Sequence, residues 1–237
     1  MTTPTRTGTA AQIDASAGNG STSATVPADC NAVVAFWSHW DNNGGSTLSG
    51  LTLNGVSFFP ADSQLAEGAT TNENGVGVAT LMNPATGTQT VAWTWSAGGA
   101  REEGGELVLV FYKDANTSDP VRAAGTNAAA TTGEAAVGLA STETTDAVVG
   151  FVENFYDGGT QPTITGVTAF INNTVVNLNS YDVGDTTGVS GTVTISNSSR
   201  DYTSTAAISL KESVAGGVFI KMVGNNFRLA GAGGLAS

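Results

Sequence analysis

The sequence predicts an all-β protein built as two tandem antiparallel β-sandwich units of jelly-roll or Ig-like type. Three observations lead to this fold class. Short apolar or alternating segments recur about eight to twelve residues apart, and glycine-rich turns separate them. Apolar residues nowhere repeat at the three-and-four spacing of an amphipathic helix. Finally, one segment rich in β-branched and aromatic residues occurs twice, at Asn31–Trp40 and at Asp146–Phe155.

The repeat extends over most of the chain, because other segments match in the same order around the two central ones. These matches pair 6–9 with 122–126, 21–26 with 134–141, 47–52 with 163–168, 87–93 with 191–195, and 107–113 with 206–211. Such an order predicts an internal duplication. We therefore expect a first sandwich at 1–116, a second at 117–215, and a C-terminal extension at 216–237. A single larger sandwich built from two half-sheets is the alternative.

The elements of the first unit follow from alternation and turn residues. A two-residue Asn54-Gly55 turn predicts a hairpin, since both residues tolerate positive φ. Residues 60–74 show no clear pattern, and we expect a loop with one short turn there. The predicted strands are 6–16, 21–26, 31–40, 51–53, 56–59, 75–81, 89–95 and 106–113.

Both faces of the repeated central strand are apolar. In the first copy Val34 and Phe36 alternate with Val33, Ala35 and Trp37. A strand of this kind belongs in the middle of a sheet that is covered on both sides. In a two-layer sandwich the face of this strand that points away from the other sheet would be exposed to solvent. We expect it either to lie between sheet edges and loops or to be covered by another subunit.

The segment Gly216–Leu229 predicts an additional apolar strand with no counterpart in the first unit, followed by a flexible tail. An exposed strand invites edge pairing with another chain, so we expect a partner contact here. The alternative is that the segment folds back to complete its own sheet.

Composition limits the classes of function. The net charge is −12 and only eight residues are basic, which argues against nucleic acid as a partner. The single Cys30 cannot form an internal disulfide. The N-terminus lacks the apolar core of a signal peptide, and no segment is long enough to span a membrane. We expect synthesis in a cytoplasm.

The residues that could carry chemistry favour structural roles. His39 is the only histidine, and Asp41 and Asp157, which could each offer one oxygen to Ca²⁺, are better explained as turn caps. The cluster of Glu102, Glu103 and Glu106 is acidic enough to suggest a glycosidase pair, but a hairpin-loop tip is the better explanation. We expect no catalytic residue, no cofactor and no metal ion. Carbohydrate binding stays an alternative, because an aromatic platform for a sugar ring could be formed by the four tryptophans, Trp37, Trp40, Trp93 and Trp95.

The segment Val26–Trp37, with Leu51–Phe58 and Gly104–Val110, resembles virion structural proteins of tailed bacteriophages. These are β-sandwich proteins that decorate heads or build tail and fibre parts. The resemblance implies a non-enzymatic virion protein, made in the bacterial host cytoplasm, that forms homo-oligomers and binds other virion proteins. We expect a capsid decoration (cement) protein, with a tail or fibre protein contacting the host surface, or a carbohydrate-binding module, as alternatives. The candidate partner contacts are Trp37, Arg101, Glu102, Arg200, Asp201, Val218, Phe219, Ile220, Met222 and Phe227.

Overall fold

The computed structural model describes residues 1–16, 18–40, 47–59, 66–70, 74–96, 105–128, 135–154, 162–176, 179–197, 203–213, 220–223 and 226–229. Every regular element in these ranges is a β-strand, and all the paired strands are antiparallel. The predicted all-β class is confirmed.

The strands fall into two halves and a C-terminal piece. Those of the first half are β1 (Thr5–Arg6), β2 (Ala11–Asp14), β3 (Gly20–Val26), β4 (Ala32–Trp40), β5 (Leu48–Leu53), β6 (Val56–Ser57), β7 (Ala66–Thr70), β8 (Asn74–Met82), β9 (Gly87–Trp95) and β10 (Gly105–Lys113). Those of the second half are β11 (Val121–Ala128), β12 (Ala136–Thr142), β13 (Ala147–Asn154), β14 (Ile164–Thr165), β15 (Thr168–Val176), β16 (Asn179–Thr187), β17 (Gly191–Asn197) and β18 (Thr203–Leu210). The last two are β19 (Ile220–Val223) and β20 (Asn226–Leu229).

Each half contributes one larger and one smaller sheet. The first inner sheet has the order β1-β10-β4-β8-β7, with β2 also paired to β10, and the first outer sheet has the order β3-β9-β5-β6. The second inner sheet is β11-β18-β13-β16-β15, and the second outer sheet is β12-β17-β14. A separate pair, β19-β20, forms the C-terminal hairpin.

Within each half the inner and outer sheets pack face to face. In the first half Val33, Ala35 and Trp37 of β4 share one core with Val91 and Trp95 of β9. In the second half the corresponding face of β13 packs on the outer sheet. That core is smaller and consists of Val137, Leu139, Val148, Val152, Ile164, Ile195 and Ala207.

The other faces of the two inner sheets pack against each other. Phe36 stacks on Phe151 across this interface with ring centroids 5.6 Å apart and planes 12° from parallel. Val34 and Val149 belong to the same buried cluster, and all four side chains are fully buried. Both explanations expected from the sequence for the second apolar face, sheet edges or another subunit, are therefore wrong. The other half of the same chain covers it, and the chain forms four stacked β-layers.

Polar contacts fix the two inner sheets at their edges. The Tyr181 hydroxyl donates to Gln12 Oε1 at 2.8 Å. Asp185 accepts a hydrogen bond from the Tyr112 hydroxyl at 3.0 Å and pairs with Arg6 Nε at 3.3 Å. The guanidinium of Arg6 also lies 3.7 Å from the ring centroid of Phe170. These contacts link the two inner sheets in addition to their shared apolar core.

Most of the strands predicted in the first half are present, and Asn54 and Gly55 adopt positive φ of 51° and 77°, as a hairpin turn requires. The loop expected over residues 60–74 is wrong at 66–70, where β7 pairs with β8, and residues 60–65 and 71–73 lie outside the described residues. In the second half the hairpin β15–β16 was not anticipated from the sequence.

The two halves share one strand order. The central strands β4 and β13 each lie between the last long strand of their half, β10 or β18, and the second strand of a following hairpin, β8 or β16. The outer sheets match in the same way, with β3-β9-β5 corresponding to β12-β17-β14. This equivalence is what a duplication would produce. The duplication itself, and the domain limits at 116 and 215, stay predictions.

Candidate functional site

Trp37 does not fit its predicted role as a partner contact. Its side chain is fully buried in the first sandwich, where it packs edge-on against Phe59 at 5.5 Å and lies over Gly77. A Cβ on Gly77 would come within 2.0 Å of the Trp37 ring, so the absence of a side chain there makes room for the indole. The prediction for Trp37 is therefore wrong, because β4 directs this residue into the core.

The aromatic sugar platform is also not formed by Trp37, Trp93 and Trp95, and the side chain of Trp40 lies outside the described part of the structure. Trp95 is 2% exposed and Trp93 is 8% exposed, and both indole N–H groups donate to backbone carbonyls, of Ala15 and Gly18 respectively. Tryptophans buried in this way cannot stack on a sugar ring.

Six of the predicted contact residues lie outside the described residues. They are Arg101, Glu102, Arg200, Asp201, Val218 and Phe219. The loop residues Asp41 and Asp157, considered as calcium ligands, also lie outside them.

Ile220, Met222 and Phe227 lie in the C-terminal hairpin. The register pairs Ile220 with Leu229 and Met222 with Phe227, so these positions share one face, while Lys221 and Arg228 pair on the other. The single strand expected here is therefore wrong, since the segment folds into two strands that pair with each other. Neither strand pairs with any other described strand.

The first outer sheet presents a neutral, hydroxyl-rich face. In the C-terminal parts of β3 and β9 its exposed positions alternate with buried ones, and no residue of β3, β5 or β9 is charged. The exposed hydroxyl residues on this face include Ser21, Ser23, Thr25, Ser49, Thr88, Thr90 and Thr94. An uncharged face of this kind can be dehydrated at a smaller cost than a charged one.

Two carboxyl groups are buried between the inner sheets. Glu106 lies on β10, opposite Ser38 of β4 and Asp14 of β2, on the face that meets the second half. Glu153 is its counterpart on β13, and is fully buried. Burial raises the pKa of Glu106 to about 8, helped by the charge of Asp14. Burial also raises the pKa of Glu153 well above its usual value, and the charge of Glu106 adds to that effect. Glu106 is thus an interface residue and not part of the loop tip that the sequence predicted.

A buried ion pair anchors the second sandwich. Arg122 of β11 donates to both oxygens of Asp146, at 2.6 and 3.2 Å, and Asp146 is fully buried. The same carboxylate accepts from the Ser209 hydroxyl and the Glu143 backbone N–H, both at 2.9 Å. Every oxygen is engaged with structural groups, so Asp146 serves as a brace and not as a base.

His39 and Cys30 take structural positions. His39 is 4% exposed, with its ring packed edge-on against Trp95 at 5.2 Å and above Gly75. Cys30 is buried, and burial raises the pKa of its thiol to about 11, which disfavours the nucleophilic thiolate.

Among the described residues no three His, Cys, Asp or Glu side chains come together in a way that could hold a metal ion. In the same part of the chain no helix is long and apolar enough to cross a membrane.

Comparison with protein-family models, with curated proteins and with solved structures found no match to this chain. No relative therefore indicates a function for this chain.

Two features of the structure were not predicted from the sequence: the C-terminal hairpin and the two facing carboxyl groups. The hairpin does have a local sequence signal. Gly224-Asn225 separates two β-prone segments by two residues, which is a hairpin signal. The facing of Glu106 and Glu153 had no such signal, because it depends on how two sheets from different halves dock.

Proposed function

We propose that this chain is a non-enzymatic structural protein of a tailed-bacteriophage virion, and within that class a decoration protein that binds and stabilises the head. It is made in the cytoplasm of the bacterial host. The observation that carries the proposal is the C-terminal hairpin. Among the described strands, β19 and β20 pair only with each other, and an isolated two-stranded hairpin is at best marginally stable in water unless it packs on something else. A larger assembly supplies such a surface.

Two further features support a role in assembly. The four-layer stack places the broad apolar faces of both inner sheets inside the chain, which gives a rigid body. The outermost face of the first half is hydroxyl-rich and uncharged, so another protein can cover it without burying a charge. A rigid body with neutral outer surfaces suits a subunit that is packed repeatedly on a shell.

Particle binding tests the proposal. Phage particles purified from an infected culture are examined by mass spectrometry for the chain and by electron microscopy for its position. We expect it on the head. The runner-up, a tail or fibre protein, is supported instead if the density lies on the tail.

A second experiment tests the hairpin itself. Full-length protein and a chain ending at Ala215 are each added to particles that lack the protein. We expect the shortened chain to stay folded, since the two inner sheets and their shared core lie before Ala215, and to bind far less. If it binds as well as the full chain, the hairpin is not the contact.

A further inference from the structure

The first inner sheet ends at a short strand with a free edge. Ala15 N–H donates to the Gly105 carbonyl at 2.7 Å, which places the hydrogen-bonded pairs of β2 and β10 at odd-numbered residues of β2. The backbone N–H and C=O groups of Gln12 and Asp14 therefore point away from β10. No other described strand pairs with that side of β2.

A groove opens beside this edge, between β2 of the inner sheet and β3 of the outer sheet. Its volume is about 840 Å³, and its walls include Ala11, Ile13, Ala24 and Trp93. Clefts that hold ligands typically measure roughly 300–1,000 Å³. The groove is large enough to take several side chains, and its apolar lining continues the core of the first sandwich.

In the second sandwich the corresponding groove is filled, although β11 is also the end strand of its sheet. There β11 and β12 occupy the positions of β2 and β3 in the strand order. Asn127 Nδ2 donates to the Ala136 carbonyl at 3.0 Å, and Val137 fills the space above Gly125, where a Cβ would lie 2.8 Å from Cγ1. In the first half β1 and β2 together form only six residues of strand, interrupted near Gly8 at a φ of +63°. The space that forms the groove in the first half is thus filled at the corresponding place in the second half.

The C-terminal hairpin has the alternation that would continue β2. On β2 the apolar Ala11 and Ile13 contact the sandwich core, while Gln12 and Asp14 lie on the opposite face. The hairpin likewise has an apolar face and a face with Lys221 and Arg228, and it contains no acidic residue. Asp14 is the one charged residue lining the groove. If a strand of the hairpin pairs with the free edge of β2 so that the apolar faces of both lie on the same side, its apolar positions lie over the groove. Lys221 and Arg228 then lie on the same side as Asp14.

We propose that the C-terminal hairpin of a second copy of this chain pairs with the free edge of β2 and covers the groove between β2 and β3. This inference rests on the proposed role of the hairpin in assembly and names its partner. The hairpin and the edge of β2 are different surfaces of each copy, so the contact is heterologous and can propagate from copy to copy.

Backbone blocking tests the edge. In Gln12→Pro the lost N–H is one that β10 does not use, and the edge of a sheet tolerates proline. Gln12→Ala is the matched control, because it also loses the Tyr181 contact but keeps the N–H. Sedimentation velocity of the full-length protein, without particles, is measured over a range of concentrations. We expect wild type and Gln12→Ala to associate, and Gln12→Pro to associate about ten-fold more weakly or not at all.

Charge exchange tests the orientation. We expect Asp14→Lys alone to weaken association, as should Lys221→Glu combined with Arg228→Glu. Mixing the two variant proteins should restore it, because the mixture pairs the altered edge with the altered hairpin. This measurement does not depend on whether the proline variant folds.

Three results would overturn the inference. The first is a wild-type protein that stays monomeric at every concentration, which is also the result expected if the hairpin docks on its own chain. The second is association that survives Gln12→Pro. The third is a mixture of charge variants that does not associate. None of these bears on particle binding, so the proposed function is tested separately.

Discussion

At the residue scale, the most informative position is Glu106, because it is a carboxyl group held between two β-sheets with a second carboxyl group, Glu153, on the facing sheet. The pKa of Glu106 is about 8 in the folded chain, against an ordinary value of 4.5. The unfolded chain releases this proton near pH 4.5, whereas the folded chain keeps it until about pH 8. The folded state therefore binds more protons in that window, and stability falls as pH rises through it.

The prediction is that Glu106→Gln reduces this loss. Between about pH 5 and about pH 9 the free energy of unfolding of wild type should fall by a few kcal/mol, since each pKa unit corresponds to about 1.4 kcal/mol. Glu106→Gln should flatten the decline, because the amide cannot ionise. Thermal unfolding across the pH series measures it, with Glu143→Gln as the control at an exposed carboxylate. A wild-type curve that rises over this window would show that the buried pair does not govern it.

A second residue-scale prediction concerns Gly77. A methyl group there would meet the Trp37 ring at 2.0 Å, and the indole has no room to move inside a filled core. Gly77→Ala should therefore lower the free energy of unfolding by roughly 1–3 kcal/mol, as overpacking does. The matched control is Gly138→Ala on an exposed strand face, where the nearest atom would lie 3.9 Å away. Chemical denaturation measures the free energy of unfolding of both variants. Equal values would show that the Trp37 ring can move to make room for the added methyl group.

At the element scale, Asp146 ties three parts of the second sandwich together. Its carboxylate receives Arg122 from β11, Ser209 from β18 and the backbone of the turn before β13. Asp146→Ala leaves Arg122 with Glu143 at 2.8 Å as its remaining close partner, and it leaves the buried Ser209 hydroxyl without its acceptor. We expect a loss of roughly 1–3 kcal/mol in the free energy of unfolding.

The control for that prediction is the surface pair of Lys211 and Asp119, whose carboxylate is 60% exposed. Asp119→Ala should cost less than about 1 kcal/mol, because water screens an exposed pair. Equilibrium unfolding in denaturant measures both. If the two substitutions cost the same, the buried network is not the brace that its geometry indicates.

The same scale explains what the sequence could and could not predict. Strands β4 and β13 were recognised because they are buried on both faces and so carry long apolar runs. Strand β7 was missed because Ala66-Glu-Gly-Ala-Thr has a single β-branched residue, Thr70, and no aromatic residue. Strand β15, at an edge of the second inner sheet, holds Asn172 and Asn173, and asparagine is depleted in strands. The groove beside β2 was out of reach, because it depends on the separation of two strands from different sheets.

At the scale of the whole molecule, the four layers make the two halves interdependent. The face-to-face packing of the inner sheets buries Val34, Phe36, Val108 and Val110 from the first half against Val149, Phe151 and Ile208 from the second. Separating the halves would expose both surfaces, at about 25 cal/mol for each Å² of apolar area. Soluble monomers rarely present apolar patches of this kind.

We therefore predict that neither half is a stable monomer by itself, although each has the strand order of a complete sandwich. Fragments 1–116 and 117–237 should self-associate or aggregate when produced separately, and should form a one-to-one complex when produced together. The full chain should unfold in a single transition, because loss of the shared core removes a covered face from both halves at once. Co-purification with light scattering, and calorimetry of the full chain, measure these outcomes.

Phe36→Ala should weaken the fragment complex, since it removes one ring of the central stack. A first fragment that is monomeric and folded alone, with its own transition in the full chain, would mean that the inner-sheet packing contributes little and that the halves behave as independent domains.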